Sequence, residues 1–198
     1  MKHVLYIDCT MREESRTAVL ANSYFQGLDP ARFSVITLKL DTLGLEPLAN
    51  SSYRERDQLL AEGNLDHPRF QYAKLFAASD LIVIAAPFWD LSFPSLLKVF
   101  IESVCVEGIT FQSDETGLHG LCKAENLVYL TTRGGFTETG SALEQATPYL
   151  NALRGLLGYG EVITIAAAGM DVWSFDAEAA LAAACEEARK TAEYLSAV

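Results

Sequence analysis

The run from Asp80 to Leu91, Asp-Leu-Ile-Val-Ile-Ala-Ala-Pro-Phe-Trp-Asp-Leu, constrains this chain more than any other stretch. One polar residue is followed by six apolar ones, three of them β-branched, and then by Pro87. A run that short, with no polar/apolar alternation, fits a strand covered on both faces, as in the middle of a parallel sheet. Pro87 has no N–H to give a neighbouring strand, so the strand should stop there. Phe88, Trp89, Asp90 and Leu91 then fall in the loop at the strand's carboxyl end, the edge where open α/β sheets bind ligands. Two large rings and a carboxylate on that loop suit a flat, partly polar molecule.

The remaining segments supply the layers such a strand needs. His3–Asp8 reads as a first buried strand. Ser15 is a suitable N-cap for a helix to about Leu28, with Leu20, Tyr24 and Leu28 on one face and Gly27 and Pro30 closing it. Phe33–Leu40 is rich in β-formers and reads as the second strand. Asp41–Ser52, with Gly44 and Pro47, reads as a surface loop, followed by helical stretches at Tyr53–Glu62 and Pro68–Ala78. The helix over Ser92–Cys105 tolerates Pro94 in its first turn and buries Leu96, Leu97, Phe100, Ile101 and Val104. Glu107–Leu121 reads as loop and Glu125–Thr132 as the fourth strand. Thr147 and Pro148 read as cap and first position of the next helix, which buries Leu150, Leu153 and Leu157 and ends at Gly158 and Gly160. Gly160–Ala168 is the fifth strand. Phe175–Ala197 closes the chain as a helix with Leu181, Cys185, Ala188, Ala192 and Leu195 on one stripe. Strand and helix alternate throughout, which predicts an α/β fold, a three-layer doubly wound sheet with right-handed crossovers. Five parallel strands suit the flavodoxin-like order 2-1-3-4-5, with residues 1–198 forming a single domain.

Composition removes several classes of function. The formal charge of −11 argues against nucleic acid or an anionic membrane surface as partner. No apolar run is long enough to span a bilayer, and the N-terminus meets Asp8 too soon for a signal peptide. Cys9, Cys105, Cys122 and Cys185 lie far apart, as reduced thiols of a cytoplasmic protein do. His3, His67 and His119 show no metal-ligand spacing.

Three loops should meet at the carboxyl edge of the sheet. The first, Cys9–Thr17, runs into a helix N-terminus, where hydroxyls, backbone N–H groups and the helix dipole can hold a phosphate. Thr10, Ser15 and Thr17 offer hydroxyls and Arg16 a positive charge; alternatively Ser15 only caps its helix, and Asp8, Glu13 and Glu14 weigh against an anion. Neither G-x-G-x-x-G nor G-x-x-x-x-G-K-[ST] is present, so a dinucleotide loop and a P-loop are set aside. The second loop is Pro87–Leu91, whose rings either line a ligand or pack under neighbouring helices. The third is Thr131-Thr132-Arg133-Gly134-Gly135-Phe136. Its paired glycines let the backbone approach a ligand closely, or simply make a tight turn.

Four segments, in order, carry a resemblance. They are Ala-Ala-Pro-Phe-Trp-Asp-Leu-Ser-Phe-Pro-Ser-Leu-Leu-Lys from Ala85, Gly-Ile-Thr-Phe from Gly108, Thr-Thr-Arg-Gly-Gly from Thr131 and Thr-Pro-Tyr-Leu from Thr147. The chain resembles the FMN-dependent NADH-azoreductase / NAD(P)H:quinone oxidoreductase family over nearly its whole length, least from Asp41 to Gln71. The resemblance implies a homodimer with one FMN per subunit, NADH or NADPH as electron donor, and two-electron reduction of a small aromatic acceptor, a quinone or azo compound, by a ping-pong route. It implies that Thr10, Ser15, Arg16 and Thr17 hold the FMN phosphate. Pro87, Phe88, Trp89, Asp90 and Leu91 would line the ring, and Thr132, Arg133, Gly134 and Gly135 would face its pyrimidine end. No side chain need be a nucleophile, because the flavin carries the hydride. Asp90 stands where the family usually has asparagine, and Thr137 where it often has histidine or tyrosine. A non-enzymatic electron carrier and a cofactor-free binding protein are the alternatives to be tested.

Overall fold

The computed structural model describes residues 1–197. In chain order its regular elements are β1 (Lys2–Asp8), α1 (Arg16–Gln26), β2 (Phe33–Lys39), α2 (Asn50–Ala61), α3 (Gln71–Ala78), β3 (Leu81–Ala85) and α4 (Ser95–Val104), then β4 (Phe111–Asp114), β5 (Gly117–Gly120), β6 (Asn126–Thr132), α5 (Ala146–Leu157), β7 (Glu161–Ala167) and α6 (Ala177–Ala197). Five strands pair in the order β2-β1-β3-β6-β7, all parallel. With the small β4–β5 hairpin set apart, this is the expected flavodoxin-like order.

Strand alternation sorts the core into two clusters, one on each face of the sheet. Leu5, Ile7, Ile82, Ile84, Leu127 and Tyr129 face Phe76 of α3, Leu97, Phe100 and Ile101 of α4, and Leu150 and Leu157 of α5. Val4, Leu81, Val83, Val128 and Leu130 face Leu20, Ala21 and Tyr24 of α1 and Ala184, Ala188 and Ala192 of α6. The alanine stripe on α6 lets it lie close to α1, and at Gly27 no Cβ fits because the Arg189 carbonyl occupies the space. Full burial of one such Leu or Ile stabilises by roughly 1.5–3 kcal/mol. Exposed ion pairs such as Lys98–Glu102 and Lys74–Asp66 are screened by solvent and add little. The two apolar clusters therefore hold the fold. None of the described helices is long and apolar enough to cross a membrane.

Several boundaries differ from the sequence reading. Glu107–Leu121 is not all loop: Phe111 pairs with Gly120 and Asp114 with Gly117 in an antiparallel hairpin. Most of its residues are exposed on both faces, so no alternation announced it. It is anchored by buried Thr110, whose hydroxyl donates to the Val104 carbonyl at 2.7 Å and accepts the Val106 N–H at 2.9 Å. Helix α5 starts at Ala146, and Thr147 is not its cap. The Glu144 carboxylate accepts the Ala146 and Thr147 N–H groups at 2.9 and 2.8 Å instead. Helix α4 starts at Ser95, not Ser92, because Trp89–Ser92 closes a tight turn first. Helix α2 starts at Asn50, three residues before Tyr53.

Two glycine substitutions should have opposite signs. Gly27 has φ −87°, which alanine adopts without strain, so Gly27→Ala tests space alone. It should destabilise by about 1–3 kcal/mol, read as a lower denaturation midpoint at constant m-value. Gly155 sits inside α5 with nothing within 4 Å of an added Cβ, and Gly155→Ala should stabilise by about 0.5–1 kcal/mol. Thiols give a second check. Burial, with the Asp8 carboxylate adding to it, pushes the Cys9 thiol up to about 12, and burial does the same for Cys122. Both should resist a thiol reagent at pH 8 until the protein is unfolded. A raised folded-state thiol pKa adds stability below the unfolded value and loses it as pH climbs toward the folded one. Stability should accordingly fall as pH rises from 9 toward 12.

Candidate functional site at the strand carboxyl ends

The parallel ladder runs on past the last residues of β1, β3 and β6. Cys9 N–H donates to the Ala85 carbonyl at 2.9 Å, Ala86 N–H to Leu130 at 3.1 Å and Phe88 N–H to Thr132 at 3.1 Å. The Thr17 and Thr132 hydroxyls meet at 2.6 Å. These bonds bring the three loops singled out in the sequence, Cys9–Thr17, Pro87–Leu91 and Thr132–Phe136, to one edge. The two described cavities lie elsewhere. One, about 250 Å³, sits beside Arg56 and Arg69. The other, about 380 Å³, lies between α1 and β2.

Within the first loop the expected phosphate ligands divide. Ser15 caps α1, accepting the Ala18 N–H at 3.2 Å, and its own proton stays available to a second partner. No backbone N–H from Met11 to Thr17 has a protein acceptor among the described residues, so the loop presents a row of donors at a helix N-terminus. Thr10 is committed inward: its N–H and hydroxyl both donate to Asp8 Oδ1, at 2.8 and 2.6 Å. Thr17 is buried and serves to tie α1 to β6. Arg16 pairs with Asp171 at 2.8 Å, but both side chains are at least half exposed. A pair that wet holds its arginine weakly and would yield it to a stronger anion. The Cys9 thiol is turned into the core, protonated and no nucleophile.

The second loop is a tight turn. Trp89 and Ser92 exchange two backbone hydrogen bonds of 2.8 Å, and Asp90 and Leu91 between them have φ of 48° and 69°. Positive φ is tolerable for aspartate and costly for leucine, about 1–3 kcal/mol. The Gln145 N–H compensates by donating to the Leu91 carbonyl at 2.8 Å. The strained turn holds Trp89 and Leu91 out of the core, both exposed, beside half-buried Phe88.

The third loop is pinned by the segment after β7. Gly169, Met170 and Asp171 donate their N–H groups at 3.0 Å to Gly135, Arg133 and Gly134. Gly135 opens onto free space, whereas a side chain at Gly134 would meet Asp171. The Arg133 side chain does not join this surface. It is 1% exposed and turned beneath the loop.

Sequence reading left out Gly169–Asp171 and the buried Glu144. The fifth strand ends at the same edge as the others, so its following loop had to arrive there; that topological signal was available. It also brings Phe175, edge to face with Phe136 at 4.8 Å, and Trp173, 94% exposed. An aromatic, donor-rich cradle with one open glycine flank fits a planar ring carrying an anionic tail.

A family model described as flavodoxin-like fold matches residues 2–192. An FMN-dependent NADH:quinone oxidoreductase 2 of Clostridium acetobutylicum is 36% identical over 98% of this chain and 99% of its own length. An FMN-dependent NADH:quinone oxidoreductase of Caldicellulosiruptor saccharolyticus is 30% identical with the same coverage of both chains, 98% and 99%. Among solved structures, an FMN-dependent NADH-azoreductase from Bacillus anthracis in complex with FMN superposes with a TM-score of 0.83 over 99% of this chain and 100% of that one. At 18% identity that likeness speaks for the fold. By sequence over its length and by fold, the chain belongs to the flavodoxin-like family that includes the FMN-dependent NADH:quinone oxidoreductases.

Proposed function

We propose that the protein binds FMN at the strand carboxyl edge, takes hydride from NADH or NADPH, and passes two electrons to a quinone or azo compound. The observation that carries this reading is the meeting of three loops by direct hydrogen bonds, a donor row beside an aromatic turn beside a glycine pair. When bound, FMN supplies the hydride and electron chemistry. The protein's part is to hold and shield it. The amides of Met11–Thr17, the Ser15 hydroxyl and Arg16 would receive the phosphate, with Thr10 and Thr17 bracing the loop from behind. Phe88, Trp89 and Leu91 would flank the ring, and the backbone of Thr132–Gly135 would meet its polar end.

Exposed Trp89, Leu91, Phe136, Leu143, Trp173 and Phe175 lie on the loops of this edge. A second copy of the chain would cover these side chains, making the protein a homodimer, and we place the enzyme in the cytoplasm. One feature favours the cofactor-free alternative: Asp8 claims the Thr10 donors, and Glu13 and Glu14 stand beside the loop.

A flavin titration of the desalted protein separates the two. Uptake of FMN, seen as a yellow protein with quenched flavin fluorescence, is the expected result, followed by NADH consumption with a soluble quinone well above the oxygen background. A sample that stays colourless at excess FMN overturns the reading. Asp90 offers a finer check. It is exposed and already in the left-handed conformation that asparagine also tolerates, so Asp90→Asn changes charge with little else. The midpoint potential should rise, since a nearby carboxylate opposes negative charge on the reduced ring. Solvent screening should keep the rise below the ~30 mV that a tenfold change represents for a two-electron couple.

A further inference from the structure

Arg133 is sealed inside the protein, and its neighbours satisfy only part of it. Its Nη1 donates to the Thr137 carbonyl at 2.8 Å, and its guanidinium carbon sits 5.4 Å from the centre of the Phe88 ring, within cation–π range. Its Nε and Nη2 are buried with no acceptor among the described residues. Burial lowers the guanidinium's pKa, and buried Glu144 opposes that. Glu144, however, spends its oxygens elsewhere. They accept the N–H groups of Gly140, Ala146 and Thr147 at 3.2, 2.9 and 2.8 Å, so its charge is answered by the N-terminus of α5. A positive charge is left incompletely paired directly beneath the loops that form the cradle. Burying it is costly, and nothing in the packing of the two apolar clusters calls for it.

We propose that Arg133 is a positioning residue that sets the charge of the flavin site. Its side chain holds the Phe88 turn and the Thr137 end of the glycine loop in one register. From there it favours the reduced ring over the oxidised one. This rests on the reading of the edge as a flavin site. Hydride transfer adds two electrons and one proton to a neutral ring while NADH leaves as NAD⁺. The reduced ring therefore carries one more negative charge than the oxidised ring. A cation in the buried, poorly screened layer below acts on that difference several times more strongly than an exposed one would. Arg133 should thus outweigh Asp90, whose carboxylate lies in solvent.

The test compares Arg133→Met, Arg133→Lys and Glu144→Gln with the wild-type holoprotein, reading midpoint potential by dye equilibration and oxidised-FMN affinity by fluorescence quenching. Arg133→Met should lower the ratio of reduced to oxidised flavin affinity at least tenfold, equivalent to ~30 mV for a two-electron couple. Arg133→Lys keeps the charge and should stay within threefold of wild type. Glu144→Gln keeps an acceptor for α5 but removes the opposing charge, so it should move the potential upward. A merely structural arginine would weaken both redox states alike and leave the potential unmoved. An Arg133→Met ratio within twofold of wild type, or equal downward shifts in the Met and Lys variants, overturns the proposal while leaving the flavin site intact. If Arg133→Met does not fold, the sign of the Glu144→Gln shift decides. A wild-type protein that takes up no FMN overturns the site reading and this inference together.

Discussion

The structure depends on a parallel ladder that does not stop where its strands do. Beyond Asp8, Ala85 and Thr132 the backbone continues to pair, Cys9 to Ala85 and Phe88 to Thr132, so three loops leave the sheet already in register. Backbone hydrogen bonds are individually modest, about 1 kcal/mol net. Here they are buried against two apolar layers, and breaking one would strand a donor without water. That asymmetry makes the loop bases rigid while their tips remain exposed.

Rigid bases allow conformations that a free loop would reject. Leu91 sits at a positive φ because Gln145, entering α5, holds its carbonyl. Gln145 is itself placed by Glu144, whose carboxylate caps the helix. The aromatic turn after β3 and the first turn of α5, more than fifty residues apart, thus form one assembly, with Arg133 between them. Strain at the carboxyl edge is offset by hydrogen bonds one layer further in.

Family membership places this chain with the FMN-dependent NADH:quinone oxidoreductases, and its own residues show how charge is distributed at the edge. Aspartates crowd this edge: Asp8 withdraws Thr10, Asp171 pairs with Arg16, and Asp90 faces solvent. Against them stand a row of backbone donors, which mutation of side chains cannot remove, and one buried cation. The balance between these opposed groups sets the electrostatics of the edge.

The sequence alone determined the order of the layers and the edge at which the three loops meet. Short continuous apolar runs such as Leu81–Ala86, bounded by polar residues and proline, fit interior strands, and their alternation with helical stretches suits the sheet order observed. Local patterns did not carry the roles of individual residues. The β4–β5 hairpin escaped because both its faces are wet, and the cap of α5 passed from Thr147 to Glu144 because a carboxylate reaching three amides outcompetes a hydroxyl. That Thr10 turns to Asp8, that Arg133 dives beneath its loop, and that Asp171 arrives opposite Arg16 were decided only in three dimensions. Each of the last two is a contact between distant segments, whose energy depends on burial and on neighbours that no window of sequence contains.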